Sequence, residues 1–224
     1  ALTSTTAVSG GNITNDGGAA ITARGVCWGT AANPIVTGSH TTDGTGTGTF
    51  TSNITGLTPG GTYHVRAYAT NSFGTAYGAD MQFNAIAVVP TVTTSTPVTA
   101  ITQTTATSGG NVTSDGGAAI TARGVCWTSG TADPVVTDSH TSDGTGTGTF
   151  TSSLTQLTPN TTYKVRAYAT NSAGTGYGAV ETFPTSPILL ATVTTAVPSV
   201  VTATGAVTGG DVSASGGGAI SARG

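Results

Sequence analysis

The sequence predicts an all-β chain of tandem seven-stranded sandwiches strung into a rod. Three observations predict it. The segment Ser108 to Trp127, SGGNVTSDGGAAITARGVCW, nearly copies Ser9 to Trp28, and its opening half returns from Thr208 onward. Aligning Arg24, Arg123 and Arg223 gives a period of about 100 residues, the size of a small domain and too long for a solenoid unit. Within each period, runs of Val, Ile, Thr and Tyr alternate with Gly, Asn, Asp and Pro clusters at the spacing of a sandwich, and nothing reads as a helix.

In the complete copy the first strand is expected at Thr91 to Thr94, a β-branched run following Pro90. The second spans Thr102 to Val112, and the third runs from Ile120 to the apolar Val125, Cys126 and Trp127. Val135 to Thr141 reads as the fourth. The Asp143-Gly144 turn then delivers the fifth, Gly146 to Thr155. The sixth is the clearest: in Thr162 to Asn171, Tyr163, Val165, Ala167 and Ala169 alternate with Lys164, Arg166, Tyr168 and Thr170. That alternation gives one apolar face and one polar face. Tyr177 to Phe183 closes the set at seven.

The period divides the chain into residues 1–84, a repeat lacking its first strand; 85–89, a short apolar linker; 90–185, a complete repeat; and 186–224, the start of a third. The array is expected to be part of something longer. Val88, Val89 and Pro90 in one joint, and Pro187, Ile188 and Leu189 in the next, are stiff and apolar, so they are expected to bury at domain contacts. Strands of this length would lengthen the rod by ~30 to 40 Å per repeat.

Composition excludes several function classes. Only 7% of residues are charged, the net charge is -3, and the six basic residues are scattered, so no clustered face exists for nucleic acid. No apolar run approaches the ~20 residues of a membrane helix, so no membrane insertion is expected in this segment. Thr outnumbers even the 34 Gly, so hydroxyls rather than charges wet the surface. Cys27 and Cys126 occupy the same slot in successive copies, which leaves neither repeat a partner for an internal disulfide. Both read as buried free thiols.

Chemistry-bearing constellations are weak. The DGTGTGTF phrases headed by Asp43 and Asp143 lack the Lys-Ser/Thr of a phosphate loop and the converging acids of a calcium turn. His40 and His140 recur without a partner at zinc spacing, and no Ser, His and Asp grouping recurs either. No catalytic residue, metal site or cofactor is therefore expected. Arg66 with Tyr68, and Arg166 with Tyr168, are expected to form an outward patch repeated along the rod, a candidate contact for a sugar or a neighbouring filament.

The stretch LTPNTTYKVRAYATNSAG, with LTPGGTYHVRAYATNSFG in the first copy, resembles the end of the fibronectin type III fold. The resemblance implies a tyrosine corner, with the hydroxyl of Tyr63 or Tyr163 returning to the backbone near Leu57 and Pro59 or Leu157 and Pro159. It departs from the family at Gly109 and Gly110, where a core Trp is usual; Trp28 and Trp127, on the following strand, are expected to turn inward and fill that volume. The GGNVTSDGGAAITARGVCW and DGTGTGTFTS phrases also look like repeats of very large secreted or surface proteins of Bacteroidetes-type bacteria, similar to adhesin and filament stalk modules. The expected function is accordingly a non-enzymatic, extracellular spacer whose partners are neighbouring repeats and other copies in a filament, with a glycan or cell-surface ligand as a further partner. The alternatives are a carbohydrate-binding accessory module and a virion fibre domain.

Overall fold

A computed structural model describes residues 1–217 and 219–223, and every regular element in them is a strand. Repeat 1 supplies β1 (Ala7–Ile13), β2 (Ala23–Gly29), β3 (Ser39–His40), β4 (Gly48–Ile54), β5 (Thr62–Asn71), β6 (Gly74–Tyr77) and β7 (Met81–Asn84). Repeat 2 supplies β8 (Thr91–Thr94), β9 (Ala106–Ser114), β10 (Ala122–Thr128), β11 (Ser139–His140), β12 (Gly148–Leu154), β13 (Thr162–Asn171), β14 (Gly174–Tyr177) and β15 (Glu181–Pro184). The third unit contributes β16 (Thr192–Thr195) and β17 (Gly210–Ala214).

Repeat 2 is a two-sheet sandwich. One sheet has the order β12-β9-β8; the other runs β11-β10-β13-β14, with β15 also on β13. All pairs are antiparallel, with Val125 opposite Ala167 and Phe150 opposite Gly110. The eight segments amount to seven strands, because β14 and β15 lie in succession along one edge of β13. At the break the Thr94 hydroxyl donates to the Ala179 carbonyl at 2.6 Å beside Gly178, and repeat 1 breaks at the same place between β6 and β7. The expected fourth strand shrinks to Ser139–His140, and the second begins at Ala106 rather than Thr102.

Two clusters make the core of repeat 2. Val125, Leu154, Leu157, Tyr163, Val165 and Phe183 fill one end, and Val92, Val112, Ile120, Ala167 and Ala169 fill the other. Repeat 1 reproduces the first with Val26, Ile54, Leu57, Tyr63 and Val65. Trp28 and Trp127 turn partly inward and pack against these first clusters. The space at Gly110 is taken instead by Phe150 and Ala167: a Cβ there would stand 2.5 Å from the Ala167 methyl and 2.9 Å from the Phe150 ring. Glycine lets the two sheets approach at this point, which is why the family's Trp has no room.

Candidate functional site at the inter-repeat joint

The turn that enters the long central strand shapes each repeat's lower end. In repeat 1, Leu57 is buried and the Thr58 N–H donates to the Tyr63 hydroxyl at 2.9 Å. In repeat 2, Thr158 donates to Tyr163 at 3.0 Å, above the buried Leu157. Phe83 and Phe183 stack on these tyrosines, with ring centroids 5.8 and 5.9 Å apart. Pro59 and Pro159 sit half-buried in the same turns, which fixes where the turn carbonyls point. The hydroxyl serves as the acceptor for a turn N–H that the sheet leaves over, so the corner pins the crossing between the two sheets.

That corner lies against the next repeat. Gly60, one residue past Pro59, meets Gly117 of repeat 2 backbone to backbone: a Cβ on either would collide with the Gly117 or Pro59 carbonyl. Both glycines have left-handed backbones, φ 70° and 84°, so the contact requires glycine for space and for conformation alike. Beside it, the Val88 N–H donates to the Gly116 carbonyl at 2.9 Å, and Asn171 Nδ2 donates to Val88 O at 2.8 Å and to Asp115 O at 2.6 Å. Asn171 is buried, so those bonds are shielded from water. The second joint repeats part of this pattern: Leu189 N–H donates to Gly216 O at 3.2 Å, while Gln103 Nε2 reaches Pro187 O and Gly216 O at 3.2 and 3.1 Å.

The linkers do not bury as expected. Ile86, Val88 and Val89 are exposed, as are Ile188, Leu189 and Leu190; Ala85 and Pro90 are the buried members. The physical reason is that the joint turns the linker backbone, not its side chains, toward the neighbouring loop. The joint is held by hydrogen bonds to the linker backbone, from the Gly116 loop and from the Asn171 side chain, and by close approach at glycines.

The expected outward patch is also rearranged. Tyr68 and Tyr168 are 3% exposed, because the Ser39–Asp43 and Ser139–Asp143 segments fold over them. Their hydroxyls donate to the Thr41 and Thr141 carbonyls at 2.6 Å, and burial pushes the Tyr168 phenol above its ordinary pKa. The aromatic partners of the arginines are Tyr77 and Tyr177: the guanidinium carbon of Arg66 lies 4.5 Å from the Tyr77 ring and that of Arg166 lies 4.0 Å from the Tyr177 ring. Strand parity could not show this, because a short strand elsewhere in the chain covers the nominally outward face.

Several of the remaining polar groups are internally engaged, while the buried Ser108 hydroxyl and the Nε atoms of Arg24 and Arg123 have no partner among the described residues. Asp143 accepts from Thr141 Oγ1 at 2.6 Å and Ser152 Oγ at 2.5 Å, locking the Asp-Gly turn to the neighbouring sheet. Arg123 donates to the Gly146 and Thr147 carbonyls at 3.2 and 2.9 Å while lying over Phe150. Cys27 and Cys126 are fully buried free thiols; desolvation raises both, Cys126 to about 11 despite the opposing charge of Arg166. Among the described residues no group of three metal-ligating side chains converges. His40 and His140 are exposed, each with Nδ1 on a carbonyl two residues back, and His64 pairs with Asp80 at 2.8 Å.

The fold is fibronectin type III-like. Strand order and tyrosine corners carry that statement. No family model matches the chain, and no curated protein matches it. Among solved structures it is similar to the FN1–FN3 domains of chicken CNTN1, with 15% identity and a TM-score of 0.43, covering 90% of this chain and 67% of that one. It is also similar to the sensor domain of the anti-sigma factor RsgI4 of Pseudobacteroides cellulosolvens, with 20% identity and a TM-score of 0.34, covering 45% of this chain and 78% of that one.

Proposed function

We propose that this chain is a spacer, a stretch of an extracellular, non-catalytic stalk or filament in which successive sandwiches are held at a set pitch. The observation that supports it is the joint at Gly60 and Gly117, where two turns touch through backbone alone and Asn171 ties the linker to repeat 2. A flexible tether would place no such demand on both sides of the contact. Near-identical copies then add reach without adding chemistry. The low charge keeps the array insensitive to salt. Placement outside the cell rests on the resemblance of its repeated phrases to secreted surface repeats.

Spin labels at Thr45→Cys and Thr145→Cys, both exposed, test the spacer directly by double electron–electron resonance on the full chain. The native thiols are buried and held protonated, so they stay unlabelled. A single narrow distance distribution is expected, and a broad one overturns the reading. Gly117→Ala should broaden the distribution and cost repeat 2 about 1 kcal/mol through its left-handed backbone, leaving the melting of repeat 1 unchanged. Protease shaving of intact source cells tests the location; repeats that survive until lysis would place them inside.

A further inference from the structure

Because repeats 1 and 2 are near copies over their shared strands, the places where they differ are informative, and several differences meet at one cleft. A cavity of about 520 Å³ opens at the end of repeat 2 beside Trp127, lined also by Thr128, Asp138, His140, Gln156 and Tyr163. Repeat 1 has glycine at three of these positions: Gly29 for Thr128, Gly38 for Asp138 and Gly56 for Gln156. The loop from Trp127 to Pro134 is also one residue longer than the loop from Trp28 to Pro34. Repeat 1 therefore keeps the indole, the histidine and the hydroxyls of Ser39, Thr55 and Tyr63, but lacks the carboxylate, the carboxamide and the Thr128 hydroxyl.

Gln156 shows that the difference is more than surface drift. It stands at φ 59°, in the left-handed region, where Gly56 has φ 74°. A long L side chain is disfavoured there, and repeat 1 demonstrates that glycine serves the turn. The Gln156 carboxamide is exposed beside the cavity, free to meet a ligand. Asp138 uses one carboxylate oxygen to accept the Val135 N–H at 2.9 Å, leaving the other toward solvent. His140 engages the Asp138 carbonyl through Nδ1 at 2.9 Å, leaving Nε2.

These groups define a ligand class. An aromatic surface is flanked by a carboxylate, a carboxamide, an imidazole and a hydroxyl, with no arginine or lysine in the lining. Carboxylates and amides accept and donate to adjacent hydroxyls, while an indole covers an apolar C–H face. An anion would meet Asp138 without a compensating cation, and a purely apolar ligand would strip water from polar groups it cannot satisfy. We infer that repeat 2, and not repeat 1, carries a binding cleft for an uncharged saccharide. This is independent of the spacer reading: a rod can carry such a cleft, and so can a flexible chain.

The two tryptophans make the test internal. On the full chain, the indole N–H signals of Trp28 and Trp127 are followed by NMR during titration with glucan, mannan and xylan hexasaccharides. The Trp127 signal should shift saturably with at least one of them while Trp28 stays in place. The double substitution Asp138→Gly and Gln156→Gly gives the cleft the residues repeat 1 already folds with, and it should weaken binding at least tenfold with the melting profile retained. The inference is overturned if no hexasaccharide moves Trp127 at millimolar concentration, if Trp28 responds equally, or if choline or an acidic oligosaccharide binds in preference.

Discussion

Repeat 1 and repeat 2 share almost every core residue, yet their second cores differ. In repeat 2, β8 lies along β9, with Val92 opposite Val112, and Ala167 and Ala169 are 0% exposed. In repeat 1 no strand among the described residues lies along the corresponding edge of β1, and Ile13, Ala67, Ala69 and Asn71 are all partly exposed. The cluster around each tyrosine corner is complete in both. In repeat 2 the half of the core away from the tyrosine corner is closed by β8, the strand that follows the joint. Joint and core are thus one structural unit: the segment that carries Val88 to the Gly116 loop continues directly into the strand that buries Val92.

The strongest way to break the comparison is Val165→Asp. Val165 is fully buried in the cluster that both repeats possess, so an unpaired carboxylate there should cost on the order of 5 kcal/mol and unfold repeat 2. The Trp28 indole signal should stay native; its loss together with Trp127 would show that the repeats fold as one unit. Val92→Ala sharpens the comparison, because it weakens only what β8 supplies. About 2 kcal/mol should be lost from repeat 2 and nothing from repeat 1, read as a widened gap between two melting transitions. Tyr63→Phe and Tyr163→Phe should act alike, each costing about 1.5 kcal/mol by leaving a turn N–H without its acceptor. Unequal costs in denaturant melts would mean that the neighbouring repeat supports one corner. The smallest effect is a gain: Gln156→Gly should stabilise repeat 2 by about 0.5 kcal/mol, relief of the left-handed backbone being offset in part by the freedom of glycine in the unfolded chain.

Much of the fold was legible in the sequence, because the evidence for it was local. Alternation in Thr162 to Asn171 marked β13 and its buried face, and the Leu-x-Pro-x-x-x-Tyr spacing marked the corner. What could not be read was anything decided by a distant segment. The covering of Tyr168 depends on Ser139 to Asp143, and the exposure of Val88 and Val89 depends on the glycines of a loop some 28 residues further on. The joint itself has a sequence signal in retrospect: Gly60 and Gly117 are glycines with positive φ in turns that meet, but glycines in turns are too common for that pairing to be seen in advance. The cleft beside Trp127 is visible only on aligning the repeats and noticing where glycine gives way to polar side chains.

The Thr-Val-Thr-Thr of β8 is repeated letter for letter in β16; β8 lies against β9, which carries Gly109-Gly110 in its middle, and β16 against β17, which starts at the second glycine of Gly209-Gly210. A ladder read through backbone and one valine does not distinguish the two. During refolding, therefore, the later strand competes for the place of the earlier one, and swapped or intertwined molecules are the misfolded products to look for as protein concentration rises.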